Sequence, residues 1–171
     1  MKINNLPYLI PIGVGLLIAL GGFLASNFSD YPEAERWVTI GLWLSELVGF
    51  FMLFLNGTFI KTKYFRVVKG LISILFIGVI FKIMHYGYSE YLIIGGFVGI
   101  ILAYFFSFLK KPIKKRLDYF KLGWVITAYS YNALNYLHFI GEDYQILSSA
   151  LMWLMIIDYL KTLKEKGKLF Q

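Results

Sequence analysis

The chain contains no cysteine among its 171 residues, only two histidines and four prolines, and just 16% charged side chains. Without a thiol there is no disulfide framework, no thiolate nucleophile and no cysteine-ligated metal. Two histidines in short connections make a poor metal site. No paired carboxylates, nucleophile–base set or metal-ligand cluster is legible either, so the chain is not expected to be an enzyme and implies no cofactor. What is present in excess is apolar: 58% hydrophobic and 19% aromatic residues, with a mean hydropathy of +0.66. That is too apolar for a soluble domain of this size and reads as a polytopic membrane protein.

The apolar residues fall into six runs, Tyr8 to Ser26, Trp37 to Ile60, Val67 to Tyr86, Tyr91 to Leu109, Leu122 to Leu137 and Tyr144 to Leu160. Each is near the roughly 20 residues a helix needs to cross about 30 Å of hydrocarbon. The runs are continuous rather than alternating, which excludes a transmembrane barrel and predicts an all-α fold of about six transmembrane helices arranged as three hairpins. The fifth run is the shortest and most polar, leaving open five spans plus one partly embedded helix. The first run is read as a span and not as a cleaved leader, because it is Gly-rich and lacks a small-x-small cleavage pattern. No domain boundary is visible, so residues 1–171 read as a single membrane domain.

Charge orients the runs. Lys61, Lys63, Arg66 and Lys69 separate the second and third, six basic residues from Lys110 to Lys121 separate the fourth and fifth, and Lys161, Lys164, Lys166 and Lys168 close the chain. The alternate connections carry Asp30, Glu33, Glu35, Glu90, Glu142 and Asp143 against Arg36. Since basic loops stay on the cytoplasmic side, both termini are expected inside, in a multi-pass protein with an even number of spans. The net charge of +7 is thereby explained by topology and by anionic lipid, so the expected partner is the bilayer and not nucleic acid.

An ionisable group at mid-bilayer costs about 3 kcal/mol or more unless paired or hydrated, so the polar residues inside the runs are the candidate site. Glu46 lies nine residues beyond Trp37, roughly 13 Å deep at about 1.5 Å per residue. Lys82 lies closer to the same boundary. Because side chains tilt toward a helix N-terminus, Glu46 and Lys82 on antiparallel neighbours lean toward each other, and a pair is expected. Gly78, Lys82 and His85 would share one helical face. Thr127, Tyr131, Asn135 and His138 would form a similar stripe on the fifth helix, giving a polar seam between the third and fifth.

A shift of 53 residues superposes Lys82 on Asn135, His85 on His138, Glu90 on Asp143, Tyr91 on Tyr144 and Lys111 on Lys164, so the second and third hairpins read as a weak internal repeat. On the fourth run Gly95, Gly99 and Ala103 form a small-residue ridge suited to close helix packing. Gly13, Gly21 and Gly22 adjust the packing of the first.

Gly78, Phe81, Lys82 and His85, followed by Gly95 and Gly96, carry a resemblance. Residues 70–109 resemble the transmembrane hairpin of the GldL family, inner-membrane components of the gliding-motility and type IX secretion motor of Bacteroidota, which carries a similar G-x-x-F-K-I-x-H-W-P-G stretch. The resemblance implies a two-span unit that oligomerises around a partner's helix, with an acid on the second span coupling ion flow to rotation. Only Lys82 and His85 match position by position. His85 is followed by Tyr86, Gly87 and Tyr88 without the proline, and no acid lies between Tyr91 and Leu109. His138 to Gly141 echoes the turn. Glu46 sits on the second helix of the preceding hairpin, ahead of Gly49, Phe50 and Phe51, and the family's long cytoplasmic extension is missing.

Two function classes follow. One is a non-enzymatic membrane subunit that assembles with itself or with a membrane-protein partner and couples to, or senses, the ion-motive force. The other is a small transporter or channel-like protein with a polar path past Glu46, Lys82, Asn135 and His138.

Overall fold

The computed structural model describes residues 5–28, 33–139 and 145–165. Lys2, Asp30, Gly141, Glu142, Asp143, Tyr144, Lys166 and Lys168, which bear on topology, turn and repeat above, lie outside the described residues. Six long helices follow in order, α1 (Leu6–Phe28), α2 (Ala34–Leu55), α3 (Lys63–Ile83), α4 (Ser89–Leu109), α5 (Arg116–Tyr136) and α6 (Gln145–Glu165), with a 3₁₀ turn at Phe59–Lys61. The chain is an all-α, multi-pass membrane protein in composition and helix length: Leu6–Phe28, Ala34–Leu55, Lys63–Ile83, Ser89–Leu109 and Ile146–Glu165 are each long and apolar enough to span a bilayer. α5 is as long as α3 but is not among these five, since Arg116, Asp118 and Lys121 occupy its first turns and Asn132 and Asn135 its last.

The helices group into two compact units, one of residues 1–57 with 152–171, the other of residues 58–151. In the first, α1 and α2 form a hairpin closed by small residues. A Cβ on Gly15 would lie 2.7 Å from the Gly41 carbonyl oxygen, and one on Gly22 would lie 2.7 Å from the Val38 nitrogen and 2.8 Å from the Ala34 oxygen. The helices touch backbone to backbone. Ser45, fully buried, lies with its hydroxyl 3.1 Å from the Ile12 carbonyl across the seam and 2.9 Å from Gly41 in its own helix. In lipid there is no hydrophobic drive between helices, and close backbone approach with a cross-helix hydrogen bond supplies the attraction instead. From Met152 onward α6 completes this unit. Ile156 fills the notch over Gly49, and the Asn5 side-chain oxygen accepts from Asn56 Nδ2 at 3.2 Å and from the Tyr159 hydroxyl at 3.4 Å. Asn5 is buried and its carbonyl also receives the Tyr8 and Leu9 amides, so one residue starts α1 and ties three helices together.

In the second unit α3 and α4 form the other hairpin and α5 packs on α4. Val68, Ile100 and Ala103 make its core, with Phe59, Leu71, Leu75 and Tyr129 around them. Of the expected ridge on α4, Gly99 against Leu71 and buried Ala103 are in place, but its first member is Gly96, against Leu75, and not Gly95, whose Cβ would meet nothing within 4 Å. Successive helical residues point about 100° apart, so Gly96 rather than Gly95 shares the inward face with Gly99 and Ala103. The same phase separates Gly22 from Gly13 and Gly21, both of which face open space. The expected third hairpin is divided, α5 packing within the second unit and α6 from Met152 within the first.

Helix ends depart from the apolar runs for local reasons. α2 stops at Leu55, not Ile60, because Asn56 turns its side chain back onto the Met52 carbonyl at 2.9 Å and the Gly57 amide bonds to Phe54. α3 and α5 coincide at the 53-residue offset in both bounds and in their extended N-caps, Thr62 and Lys115. Their ends coincide as well. The His85 amide bonds to Lys82 and the Tyr86 amide to Phe81; the His138 amide bonds to Asn135 and the Phe139 amide to Leu134. His85 and His138 both have φ 59°. This is the Schellman stop, with histidine at the left-handed position that glycine usually takes. The Phe81 and Tyr86 rings, 5.3 Å apart, add its apolar contact.

Candidate functional site

The two histidine stops correct the expected polar faces. His85 does not continue the face of Gly78 and Lys82, because α3 ends at Ile83 and the left-handed residue swings its side chain off the helix. His138 leaves the Thr127–Tyr131–Asn135 stripe for the same reason. Both imidazoles are exposed. Their backbone, rather than a chain of ring nitrogens, is what the fold uses here, and histidine tolerates the left-handed region better than most residues with a Cβ.

Lys82 sits where the second unit's three helices meet. Its ammonium is 3.5 Å from Glu90 Oε1, at the start of α4, and 5.0 Å from the centroid of the Tyr136 ring in the last turn of α5. The lysine and glutamate side chains are 52% and 58% exposed, so water screens the pair and it contributes little to stability. The ring contact orients the ammonium without adding much at such an exposed position. The Tyr136 hydroxyl is buried and has no hydrogen-bond partner among the described residues. The residue before it, Asn135, donates to the Tyr131 hydroxyl one turn back at 3.0 Å, along the expected stripe.

Glu46 belongs to the first unit. Its Oε1 accepts the Trp153 indole N–H of α6 at 3.0 Å, and the residue is half-buried. The carboxylate thus has a neighbour-helix donor, while its sequence neighbour Ser45 is engaged with Ile12 and Gly41. Glu46 and Lys82 fall in different units, each with a partner inside its own.

Sequence reasoning missed Glu90 as the partner of Lys82, Trp153 as the donor to Glu46, and the Asn5–Asn56–Tyr159 clamp. Glu90 was discoverable, standing eight residues from Lys82 across a tight turn. Trp153, 107 positions from Glu46, carries no local signal. Comparison with protein families, characterised proteins and solved structures finds no match. The class defined by these observations is therefore a small multi-pass helical membrane protein.

Proposed function

We propose that the chain is a non-enzymatic subunit of a bacterial inner membrane whose hairpins assemble with each other or with a membrane-protein partner, in a complex that couples to or senses the ion-motive force. In this reading all six helices cross, α5 included, and both termini lie inside. The observation that carries it is the junction of Lys82, Glu90 and Tyr136. A GldL-like hairpin needs an acid beside its lysine, and Glu90 supplies one just ahead of the acid-free stretch from Tyr91 to Leu109. More than half exposed, the pair is open to a neighbouring chain. Large apolar side chains such as Leu17, Phe76 and Ile157 are likewise turned outward, 69%, 67% and 59% exposed, toward lipid or another subunit. The α1–α2 seam closed by backbone, and the bonds that engage Glu46 and Asn135, favour a subunit over a conducting path.

Capture of tagged protein from native membranes in mild detergent, with native electrophoresis and mass spectrometry, tests the proposal. Recovery at a multiple of 19.8 kDa or with a stoichiometric membrane partner, weakened by Glu90→Gln, is expected. Recovery of a monomer alone refutes it. Topology is tested separately, since a chain without cysteine accepts single labels cleanly. An impermeant maleimide should reach Tyr88→Cys and Phe139→Cys from outside and Lys114→Cys only after permeabilisation. Protection of Phe139→Cys would show that α5 does not cross.

A further inference from the structure

At the basic end of the second unit, the start of α3, the end of α4 and the loop into α5 enclose a cavity of about 360 Å³. Three of its lining residues are lysines, Lys63, Lys110 and Lys111, and one is an acid, Asp118. The acid is already committed: Asp118 Oδ1 holds the Lys111 ammonium at 2.6 Å and Oδ2 accepts the Lys115 backbone amide at 2.8 Å, fixing the first turn of α5. Lys63 and Lys110 are left as the surplus. Both ammonium groups gather over one ring, 5.8 Å and 6.0 Å from the Tyr64 centroid, and neither reaches a carboxylate within ion-pair distance among the described residues. With both ammonium groups within about 6 Å of one ring centre and no acid left to balance them in the lining, the cavity carries an excess of positive charge that an anion would offset.

The walls add two further properties. Thr58 and Ser107 bring hydroxyls to the cavity, while Phe59 and Phe108 make its apolar side. The cavity sits where α3 begins and α4 ends, hence at headgroup depth for helices of spanning length, and Leu109 and Ile113 beside it are 50% and 73% exposed. Its volume is at the low end of the range of small-molecule sites, about 300–1,000 Å³. We infer that this cavity binds the phosphate of an anionic phospholipid, with Lys63 and Lys110 on the phosphate oxygens and the acyl chains running over the exposed apolar surface. The site does not depend on the assembly proposed above. Lysines in such a pocket act as point charges on phosphate, and basic pockets between spanning helices suit lipid headgroups.

The test is native mass spectrometry of the delipidated full chain in detergent, titrated with dioleoyl phosphatidylglycerol, dioleoyl phosphatidylcholine or inorganic phosphate. Phosphatidylglycerol should be retained at least tenfold better than phosphatidylcholine. The double variant K63Q/K110Q should reduce that retention about tenfold, and K114Q, outside the cavity lining, should leave it unchanged. D118N keeps an oxygen for the Lys115 amide but releases Lys111, and should increase retention. Circular dichroism and size exclusion confirm that each variant is folded. Retention in K63Q/K110Q equal to the starting protein overturns the site. Displacement of phosphatidylglycerol by equimolar inorganic phosphate overturns the lipid as its source, in favour of a soluble phosphate.

Discussion

Gly21 and Gly22 are adjacent on α1 and should respond oppositely to the same added methyl group. At Gly22 a Cβ would stand 2.7 Å from the Val38 nitrogen and 2.8 Å from the Ala34 oxygen, where ordinary contact begins at 3.4 Å. Both obstacles are backbone, so no side chain can move aside, and α1 and α2 must separate locally by about 0.7 Å, the difference between contact distance and the space present. A gap of that size forfeits roughly a quarter to a half of each dispersion contact along the seam, and overpacking of this kind costs about 1–3 kcal/mol. At Gly21 the same methyl meets nothing within 4 Å, and the gain in helix propensity is at most about 1 kcal/mol. Unfolding of purified protein by SDS in mixed micelles, followed by tryptophan fluorescence and circular dichroism, should therefore place Gly22→Ala about 2 kcal/mol below Gly21→Ala. Equal midpoints, within about 0.5 kcal/mol, would refute the backbone seam as the hairpin's fastening.

Three further expectations use the same assay. His85→Gly and His138→Gly should each raise stability by up to about 1 kcal/mol, the left-handed strain of about 1–2 kcal/mol being partly offset by glycine's freedom when unfolded; His85→Val should lower it, and a loss with glycine would mean that the imidazole itself holds the turn. Trp153→Phe and Glu46→Ala should couple by about 1 kcal/mol in a double-mutant cycle, as a hydrogen-bonded pair does, and independent effects would remove Trp153 from the site. Asn5→Ala should cost about twice as much as Tyr159→Phe, because Asn5 accepts from both Asn56 and Tyr159 at about 1 kcal/mol per bond; equal losses would exclude the clamp.

The helices themselves were legible because a bilayer demands long apolar runs, and every run expected from the sequence overlaps one of α1 to α6. Their ends were less so. An apolar run extends from Trp37 to Ile60, but the side chain of Asn56 closes α2 before it finishes. A histidine after Lys82 looks like the next residue of a helical face until its positive φ takes it out of the helix. Which of two adjacent glycines faces a neighbour depends on rotational phase, which composition does not carry, and so Gly96 was passed over for Gly95. Polar partners were legible only when near in sequence: the stripe containing Asn135 and Tyr131 was foreseen, whereas the indole that reaches Glu46 comes from the far end of the chain.

The His85 stop also sets a length. α3, long and apolar enough to span a bilayer, is 21 residues long, about 31 Å at about 1.5 Å per residue, against about 30 Å of hydrocarbon in an average bilayer. Because it is terminated by its own backbone turn, it cannot grow to follow a thicker membrane. A bilayer thicker than this helix would have to thin around it, at fractions of a kcal/mol per ångström of mismatch. One left-handed residue thus fixes the thickness that α3 can match.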